Sequence, residues 1–307
     1  MTEPAPMRDV TAGVKAFLRQ AELRDTLTAL TGHGLHEVIV ADDSGIGPER
    51  EALYAELREV LPLRVIELPY DSGASAGRNA VARACITPYL LMLDDDLIVP
   101  DNLAAMRRAV DASRELGGVS CIWREHGRLS SCAANLYRVG RRLYKDIGRG
   151  PACVPRPDGK RLPVYDIVEQ SVLFRTETFD DVLWDEHFTI MREHVDFFLQ
   201  HKALGRWRFA VVPEVVMRHE KTPKTAGSDY AALRYGRERK RAADDHFRAK
   251  WDLHGVVEGR WQHAHERPVK RALNHAALLA HLRLGRTQPI GMPAGSLDGA
   301  QVDAVGG

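Results

Sequence analysis

Short apolar runs alternate with amphipathic segments along the first two-thirds of the chain. The run at 37–41 is continuous and β-branched, which is typical of a strand buried on both faces. Residues 48–61 instead place Leu53, Leu57 and Val60 on one face of a helix. The same pattern predicts strands at 10–17, 37–41, 63–68 and 89–93, and helices at 22–30, 48–61, 74–85 and 102–115.

This strand–helix order predicts an α/β fold with a mostly parallel central sheet flanked by helices. The middle of the chain is less regular, and beyond His219 the pattern becomes helical. Strands are predicted there at 118–123, 132–139, 171–175 and 208–212, helices at 193–204, 230–251 and 269–284, and a proline-rich loop at 149–162. We therefore predict a main domain at 1–228, a helical C-terminal extension at 229–286 and a disordered tail at 287–307.

Composition narrows the range of partners. The 307 residues include 43 basic and 42 acidic side chains, and this formal charge of +1 gives no reason to expect nucleic acid binding. Residues 1–10 resemble no signal peptide, and no stretch approaches the ~20 apolar residues of a membrane span. We expect a soluble, cytoplasmic protein whose basic helix at 269–284 packs on the domain. Peripheral membrane contact and a homodimer through that helix stay open.

The four cysteines give no sign of a metal module. They form no C-x-x-C pair, and their spacing matches no zinc site. We expect buried free thiols, which suit a reducing compartment, at Cys85, Cys121, Cys132 and Cys153.

Three aspartates follow the apolar strand at 89–93. In an extended segment Asp94 and Asp96 share one face and Asp95 points away. Two carboxylates at the mouth of a buried strand need protonation or a cation, and Mg²⁺ or Mn²⁺ accepts oxygen ligands while leaving positions for phosphate oxygens. Ligands of open parallel sheets bind beyond the carboxyl ends of strands. The run therefore predicts a metal and phosphate site, with an acidic turn as the alternative.

Two further segments suit a nucleotide. Asp42 and Asp43 follow the strand at 37–41, where a carboxylate can bond a base or ribose, although Asp-Asp-Ser-Gly is also ordinary turn chemistry. Residues 72–79 are mostly small and include Arg78, which allows close backbone approach and an ion pair with a diphosphate. This segment is neither a dinucleotide fingerprint nor a Walker loop.

Taken in order, these motifs resemble the GT-A glycosyltransferases. The motifs are V-K-A-F-L-R at 14–19, V-I-V-A-D-D-S at 38–44, S-A-G-R-N at 75–79 and Y-L-L-M-L-D-D-D at 89–96. They are especially similar to the inverting family-2-like and ganglioside GM2 synthase-like N-acetylgalactosaminyltransferases. The resemblance covers roughly residues 10–221 and implies the Rossmann-like GT-A fold. The usual Pro-x-x-Asn segment of the first strand is absent, which favours the GM2 synthase-like branch.

The resemblance implies a UDP-sugar donor and a Mn²⁺ or Mg²⁺ ion. It implies that Asp94 and Asp96 form the D-x-D metal site, with His219 as a third ligand, while Asp95 faces the sugar or the fold. It places the remaining donor contacts at Lys15, Arg19, Asp42, Asp43 and Arg78. Lys221 and Lys224 accompany a Thr/Pro/Gly loop at 222–228, which would close over the diphosphate; the alternative is that both lysines are solvated at the surface.

An inverting transfer also needs a base beside the acceptor hydroxyl. The family's E-D-x-D-L segment corresponds here to 193–197, with a histidine where the second acid usually stands. Glu193 and His194 are therefore equal candidates for the base, and Asp196 is the third. Trp184, in a segment that resembles the family's acceptor wall, is either a core residue or a sugar-stacking residue.

We therefore predict metal-dependent, inverting transfer of a hexose or N-acetylhexosamine from a UDP-sugar to a hydroxyl acceptor, which is a glycan, lipid, peptide or small molecule. A metal-dependent nucleotidyltransferase is the alternative enzyme, but it would want a glycine-rich basic loop that residues 14–23 lack. A non-catalytic nucleotide- or carbohydrate-binding module is the alternative outside enzymes. Such a module would not need Asp94, Asp96, Glu193 and His219.

Overall fold

Four parallel strands form one half of the central sheet in the computed structural model, which describes residues 7–219, 228–261 and 266–293. Their spatial order is β3-β2-β1-β4, and a helix lies between each strand and the next along the chain, as in βαβ units. The bounds are β1 (Val10–Ala16), α1 (Gln20–Ala29), β2 (Glu37–Asp42), α2 (Pro48–Arg58), β3 (Leu63–Glu67), α3 (Ala74–Ala84) and β4 (Tyr89–Asp94).

The other half of the sheet is mixed. The next strand beyond β4 runs antiparallel to it, then comes a parallel pair, and an antiparallel hairpin forms the edge, in the order β4-β12-β6-β13-β11-β10. Two short strands, β5 and β7, pair with β13 and β6. The bounds are β5 (Leu97–Ile98), β6 (Leu116–Glu125), β7 (Arg128–Ser130), β10 (Ala152–Pro155), β11 (Arg161–Tyr165), β12 (Val172–Arg175) and β13 (Arg208–His219).

A second, three-stranded sheet joins the C-terminal segment to the middle of the chain. Its hairpin, β8 (Asn135–Val139) and β9 (Arg142–Asp146), pairs in parallel with β14 (Gly255–Glu258). The remaining helices are α4 (Ala104–Val110), α5 (Thr178–Asp181), α6 (Glu193–Leu204), α7 (Ser228–Tyr235), α8 (Arg237–Trp251) and α9 (Pro268–Arg283). Among the described residues, none of the helices is both long and apolar enough to cross a bilayer.

Both faces of the central sheet are covered, which explains the uninterrupted apolar runs of β2 and β4. Val38 and Val40 point into one core with α1 and α2, whereas Ile39 and Ala41 point into a second core with α3 and α6. A side chain at Gly13 would collide with Val81, since an added Cβ would lie 2.1 Å from its Cγ1. The glycine therefore lets α3 approach the sheet closely.

The predicted α/β fold class is confirmed, and the predicted helices and strands are confirmed in most places. The prediction of a loop throughout 149–162 is wrong, because this segment contains β10 and the start of β11, which pair as an antiparallel hairpin. Prolines are tolerated there because β10 is the sheet edge. The predicted helix at 230–251 is interrupted at Gly236, whose ψ of 128° is not helical. The four cysteines are free thiols, as predicted, but only Cys85 and Cys121 are buried, whereas Cys132 and Cys153 are partly exposed.

Candidate active site

The carboxyl ends of β1 and β2 form one end of a cavity of about 290 Å³. Lys15 Nζ lies 2.6 Å from Asp43 Oδ1 and 4.8 Å from the ring centre of Phe17. The backbone N–H of Gly73, at the start of α3, donates to Asp43 Oδ2 over 2.8 Å. Gly73 has a φ of +94°, which favours glycine, and an added Cβ would lie 2.5 Å from backbone Cα of Thr189. Asp43 is therefore a buried acceptor presented to the cavity by three elements.

Asp42 has a different environment from its neighbour. It is completely buried, and its carboxylate accepts hydrogen bonds from the Ser44 N–H (2.9 Å), Arg50 Nε (2.8 Å) and the Tyr54 hydroxyl. Burial would raise the pKa of Asp42, but these hydrogen bonds and the Arg50 charge outweigh burial and lower it. The side chain ties β2 to α2 and does not line the cavity. The geometry therefore separates two residues that the sequence placed together.

This difference gives a paired prediction for Asp42→Asn and Asp43→Asn. We expect Asp43→Asn to weaken UDP binding about tenfold, because a charged acceptor at the cavity wall is lost. Asp42→Asn should instead cost about 2 kcal/mol of unfolding free energy, because Arg50 loses its buried partner. Calorimetric UDP titration and urea unfolding of both variants check this. Equal losses of UDP affinity in both would contradict the assignment.

Asp95 and Asp96 lie in a turn just after β4. The alternation predicted for an extended chain therefore stops at Asp94, and a single guanidinium, that of Arg19, bonds both Asp95 and Asp96. Asp95 Oδ2 also accepts the backbone N–H of Phe17 over 3.1 Å. The ring centre of Tyr230 on α7 lies 4.9 Å from Arg19 Cζ. The aspartate turn is thus clamped to the end of β1.

Asp96 meets the end of β13. His219 Nε2 lies 3.3 Å from Asp96 Oδ2, and His219 Nδ1 lies 3.0 Å from Glu125 Oε1. Burial would raise the pKa of Asp96, but His219 and Arg19 lower it to about 2, so this carboxylate stays charged. Its other oxygen, Oδ1, is buried and has no hydrogen-bond partner among the described residues.

A divalent cation fits this donor set. The unpartnered Asp96 oxygen, the Asp94 carboxylate and a neutral His219 imidazole would supply oxygen and nitrogen ligands that Mn²⁺ accepts. Asp94 Oδ1 accepts a hydrogen bond from Arg78 Nη2 over 2.9 Å, so Asp94 lies somewhat apart from the Asp96–His219 pair. The ligand atoms of Asp94, Asp96 and His219 do not all lie within 4.8 Å of one another. Among the described residues, those of a different group, Asp185, His187 and His246, do. In that other group Lys250 Nζ already lies 2.9 Å from Asp185.

Arg78 connects the metal side to the helix that carries the predicted bases. This buried guanidinium donates to Asp94, to Gln170 Oε1 (2.7 Å) and to Glu193 Oε1 (3.3 Å). Glu193 Oε2 is buried, and no described residue hydrogen-bonds it. Of the three predicted bases, Glu193 is therefore in direct contact with a residue that lines the cavity.

The other two predicted bases make no such contact, and none of the three is among the residues that line the cavity. The His194 ring packs on Phe198 with ring centres 5.1 Å apart, and burial and the nearby Lys145 charge lower its pKa well below the usual value. Asp196 is buried under α8, where Lys250 Nζ and the Trp251 indole N–H contact it at 2.8 and 2.7 Å. Both side chains lie in the packing between helices instead of facing the cavity.

Trp184 also belongs to the interior. It is buried and stacks on Phe197, with ring centres 4.2 Å apart and planes 9° from parallel. The core interpretation of Trp184 is therefore confirmed by the structure. Its backbone is held by Asn79, whose side chain bonds both the N–H and the carbonyl of Trp184.

The cavity gathers most of the predicted donor and metal residues from distant parts of the chain. Lys15, Arg19, Asp43, Arg78, the three consecutive aspartates and His219 all line it. Several lining residues were not predicted, because no motif marks them in the sequence. The charged residues at 230–251, for example, are typical of a solvent-exposed helix face. These residues are Asp71, Trp123, Glu169, Gln170, Tyr230, Arg234, Arg239 and Trp261. Lys221 and Lys224 lie outside the described residues.

Known proteins resemble this chain in both sequence and fold. Residues 11–127 match the model of Glycosyl transferase family 2. Beta-1,4 N-acetylgalactosaminyltransferase 1 of Homo sapiens is 28% identical over 250 residues, which are 74% of this chain and 43% of that protein. The chain thus spans less than half the length of the curated relatives it matches.

Two solved structures share the fold. The mannosyltransferase PcManGT from Pyrobaculum calidifontis, in complex with GDP-Man and Mn²⁺, superposes with a TM-score of 0.52 at 16% identity, covering 92% of this chain and 73% of that one. GalNAc-T7 with UDP, GalNAc and Mn²⁺ superposes with a TM-score of 0.51 at 14% identity, covering 68% and 43%.

Residues 11–127 thus match the Glycosyl transferase family 2 domain, and the chain has the fold of the GT-A glycosyltransferases. Its similarity to beta-1,4 N-acetylgalactosaminyltransferase 1 confirms the family resemblance predicted from the sequence.

Proposed function

We propose that this chain transfers a hexose or N-acetylhexosamine from a UDP-sugar to a hydroxyl acceptor, with inversion at the anomeric carbon and with Mn²⁺ or Mg²⁺. The observation that carries the proposal is the meeting of Asp43, Arg78, Asp96 and His219 in one cavity. A nucleotide-sugar site needs a carboxylate to bond the nucleotide base, a positive side chain near the diphosphate, and ligands for a divalent metal. Asp43, Arg78 and the Asp96–His219 pair are our candidates for these three parts.

The relatives support the choice of donor. The human relative is named for N-acetylgalactosaminyl transfer, and GalNAc-T7 was crystallised with UDP, GalNAc and Mn²⁺. PcManGT was solved in complex with GDP-Man and Mn²⁺, so a GDP-sugar is the alternative donor to test beside the UDP-sugars. Asp43, presented by Lys15 and Gly73, is our candidate acceptor for an N–H of the nucleotide base.

In the proposed reaction the acceptor oxygen attacks the anomeric carbon as the bond to the diphosphate breaks, and the diphosphate keeps the electron pair. Asp94, Asp96 and His219 would hold a divalent metal, whose charge would offset that of the departing diphosphate. Arg19 and Arg78 add positive charge along the same wall. A base must remove the acceptor proton, and Glu193 is the predicted candidate that contacts the cavity wall.

A hydrolysis screen tests this function without knowledge of the acceptor. The chain is incubated with UDP-GalNAc, UDP-GlcNAc, UDP-glucose, UDP-galactose and GDP-mannose, with Mn²⁺, Mg²⁺ or EDTA, and nucleotide release is measured. We expect at least one UDP-sugar to be hydrolysed, with loss of turnover in EDTA. Proton NMR of the first product should show the β-anomer from an α-linked donor.

Two outcomes would overturn the proposal. Turnover of no nucleotide sugar, with UDP still bound, would identify a non-catalytic binding module. Turnover that is unchanged in EDTA would remove the metal from the reaction.

A further inference from the structure

Helix α7 brings the C-terminal segment of the chain to the wall of the cavity. Tyr230, Leu233 and Arg234 lie on one face of this helix, at positions i, i+3 and i+4, and all three line the cavity. The ring centre of Tyr230 lies 6.4 Å from that of Phe17 and 4.9 Å from Arg19 Cζ. The face of α7 that carries Arg234 is therefore packed beside the end of β1.

The next helix holds α7 in this position. Arg239, near the start of α8, also lines the cavity, and its Nη1 donates to Asp71 Oδ1 over 2.9 Å. Its Nη2 bonds the other oxygen of the same carboxylate, in the loop between β3 and α3. Helix α7 is thus anchored on both sides, by Tyr230 on β1 and by the Arg239–Asp71 pair.

Arg234 differs from the other basic side chains that line the cavity. Each of those lies within ion-pair distance of a carboxylate that also lines it. The pairs are Lys15–Asp43, Arg19–Asp95, Arg19–Asp96, Arg78–Asp94, Arg239–Asp71 and His219–Asp96. In the part of the chain that the structure describes, Arg234 has neither a hydrogen-bond acceptor nor an ion-pair partner. Its charge is therefore available to an anion that enters the cavity.

The charges that act on Arg234 are those of the proposed active site. Loss of water around the guanidinium would lower its pKa, but Tyr230, Asp94 and Glu193 outweigh this and raise it. Asp94 and Glu193 are the two carboxylates that bond Arg78. Arg234 thus lies near the metal-side aspartate without being held by it, and it stays charged.

A diphosphate is an anion that suits this guanidinium. The planar fork of N–H donors matches phosphate oxygens and can bond two of them at once. In the proposed function the donor diphosphate lies along the wall formed by Arg19 and Arg78, and Arg234 lines the same cavity. Arg19 and Arg78 already bond aspartates, so Arg234 is the side chain whose charge would gain most from the diphosphate.

We propose that Arg234 binds the diphosphate of the nucleotide-sugar donor, so that α7 completes the donor site. This inference rests on the proposed function and adds to it a residue that lies outside the matched segment at 11–127. Arg234 then offsets part of the charge that the diphosphate gains as its bond to the sugar breaks. The C-terminal segment would thereby take part in donor binding.

Calorimetric titration of UDP, with Mn²⁺ present, tests the assignment in wild type and in Arg234→Gln. We expect the affinity for UDP to fall about 20-fold, as when one charge-assisted, hydrogen-bonded contact is lost. Uridine, which has no phosphate, should bind both proteins equally well by ligand-observed NMR. Arg234→Lys should keep part of the UDP affinity, because the charge remains while the planar fork is lost.

Arg237→Gln is the matched control, because Arg237 is exposed at the start of α8 and does not line the cavity. It should bind UDP as wild type does. Arg234 is exposed too, so its substitution should leave the thermal unfolding curve unchanged. If glutamine nevertheless destabilises the fold, Arg234→Lys carries the same comparison.

The outcomes separate this assignment from the proposed function. An unchanged UDP affinity in Arg234→Gln, or equal losses for UDP and uridine, would overturn the role of Arg234 and leave the proposed function standing. If wild type binds no UDP with Mn²⁺, the proposed function fails and this assignment fails with it.

Discussion

Asp96→Asn should lower UDP-sugar turnover about 10³-fold, the loss expected when a main electrostatic group of a diphosphate-cleaving site is removed. The substitution keeps the shape of the side chain but removes the charge that faces Arg19 and His219. It also converts the unpartnered buried Oδ1 into part of a neutral amide, which is a poor ligand for a divalent ion. Turnover and Mn²⁺ titration of the same sample measure both effects.

The control for this prediction is Asp101→Asn, which changes an exposed carboxylate a few residues further along the chain. We expect it to leave the Mn²⁺ requirement and the rate at wild-type values. If Asp96→Asn kept its rate at saturating Mn²⁺, the aspartate turn would be a structural clamp for Arg19 and not a metal site. Binding of UDP without metal should change little, since Asp43, our candidate contact for the nucleotide base, and its bonds to Lys15 and Gly73 are left intact.

Asp196→Ala should destabilise the fold by about 3–5 kcal/mol, the usual cost of removing one partner of a buried ion pair. Its two oxygens accept hydrogen bonds from Gln200 Nε2 (2.8 Å), Lys250 Nζ (2.8 Å) and Trp251 Nε1 (2.7 Å). Without it the Lys250 ammonium keeps Asp185 alone as its carboxylate partner among the described residues, and the indole N–H loses its acceptor. Urea unfolding followed by tryptophan fluorescence measures the change.

Asp245→Ala on α8, the helix that carries Lys250 and Trp251, is the control, because that carboxylate is 58% exposed and its ion pairs with Arg241 and Arg248 are 3.7 Å long. Its loss should cost about 0.5 kcal/mol or less. A stable Asp196→Ala variant that has lost turnover would reverse our interpretation and favour the catalytic role predicted from sequence. A destabilised variant would mean that α6 and α8 are held together through this carboxylate.

Sequence alone was sufficient for the order of the elements in the parallel half of the sheet and for the charged ends of its strands. The apolar runs of β2 and β4 identify strands covered on both faces, and polar residues at their carboxyl ends identify a binding edge. Both features can be predicted locally, because the pattern of apolar and polar residues and the end of a strand are evident from a few consecutive residues. The register of β1 against β4 then pairs Lys15 with Asp94.

The sequence correctly predicts that the three consecutive aspartates lie at the end of a strand, but it does not predict their relative geometry. The extended-chain rule fails at Asp95 because the chain turns there, and the same cation, Arg19, bonds both aspartates of the turn. Likewise, Asp42 and Asp43 are indistinguishable by motif. Only the positions of Arg50 and Tyr54 decide that one is structural and the other faces the cavity.

Tertiary structure alone decided which carboxylates share the cavity with the donor residues. Arg78 and Glu193 are 115 residues apart in sequence and are joined by one ion pair, whereas Asp196, three residues further along α6, faces a different helix. Glu169 belongs to no motif, and only the tertiary structure shows that it is buried, accepts the backbone N–H of Cys132 and lines the cavity. The sequence by itself determined the fold and the charged strand ends, since both depend on local periodicity. Long-range packing determined burial, and burial sets which acids can hold a cation or exchange a proton.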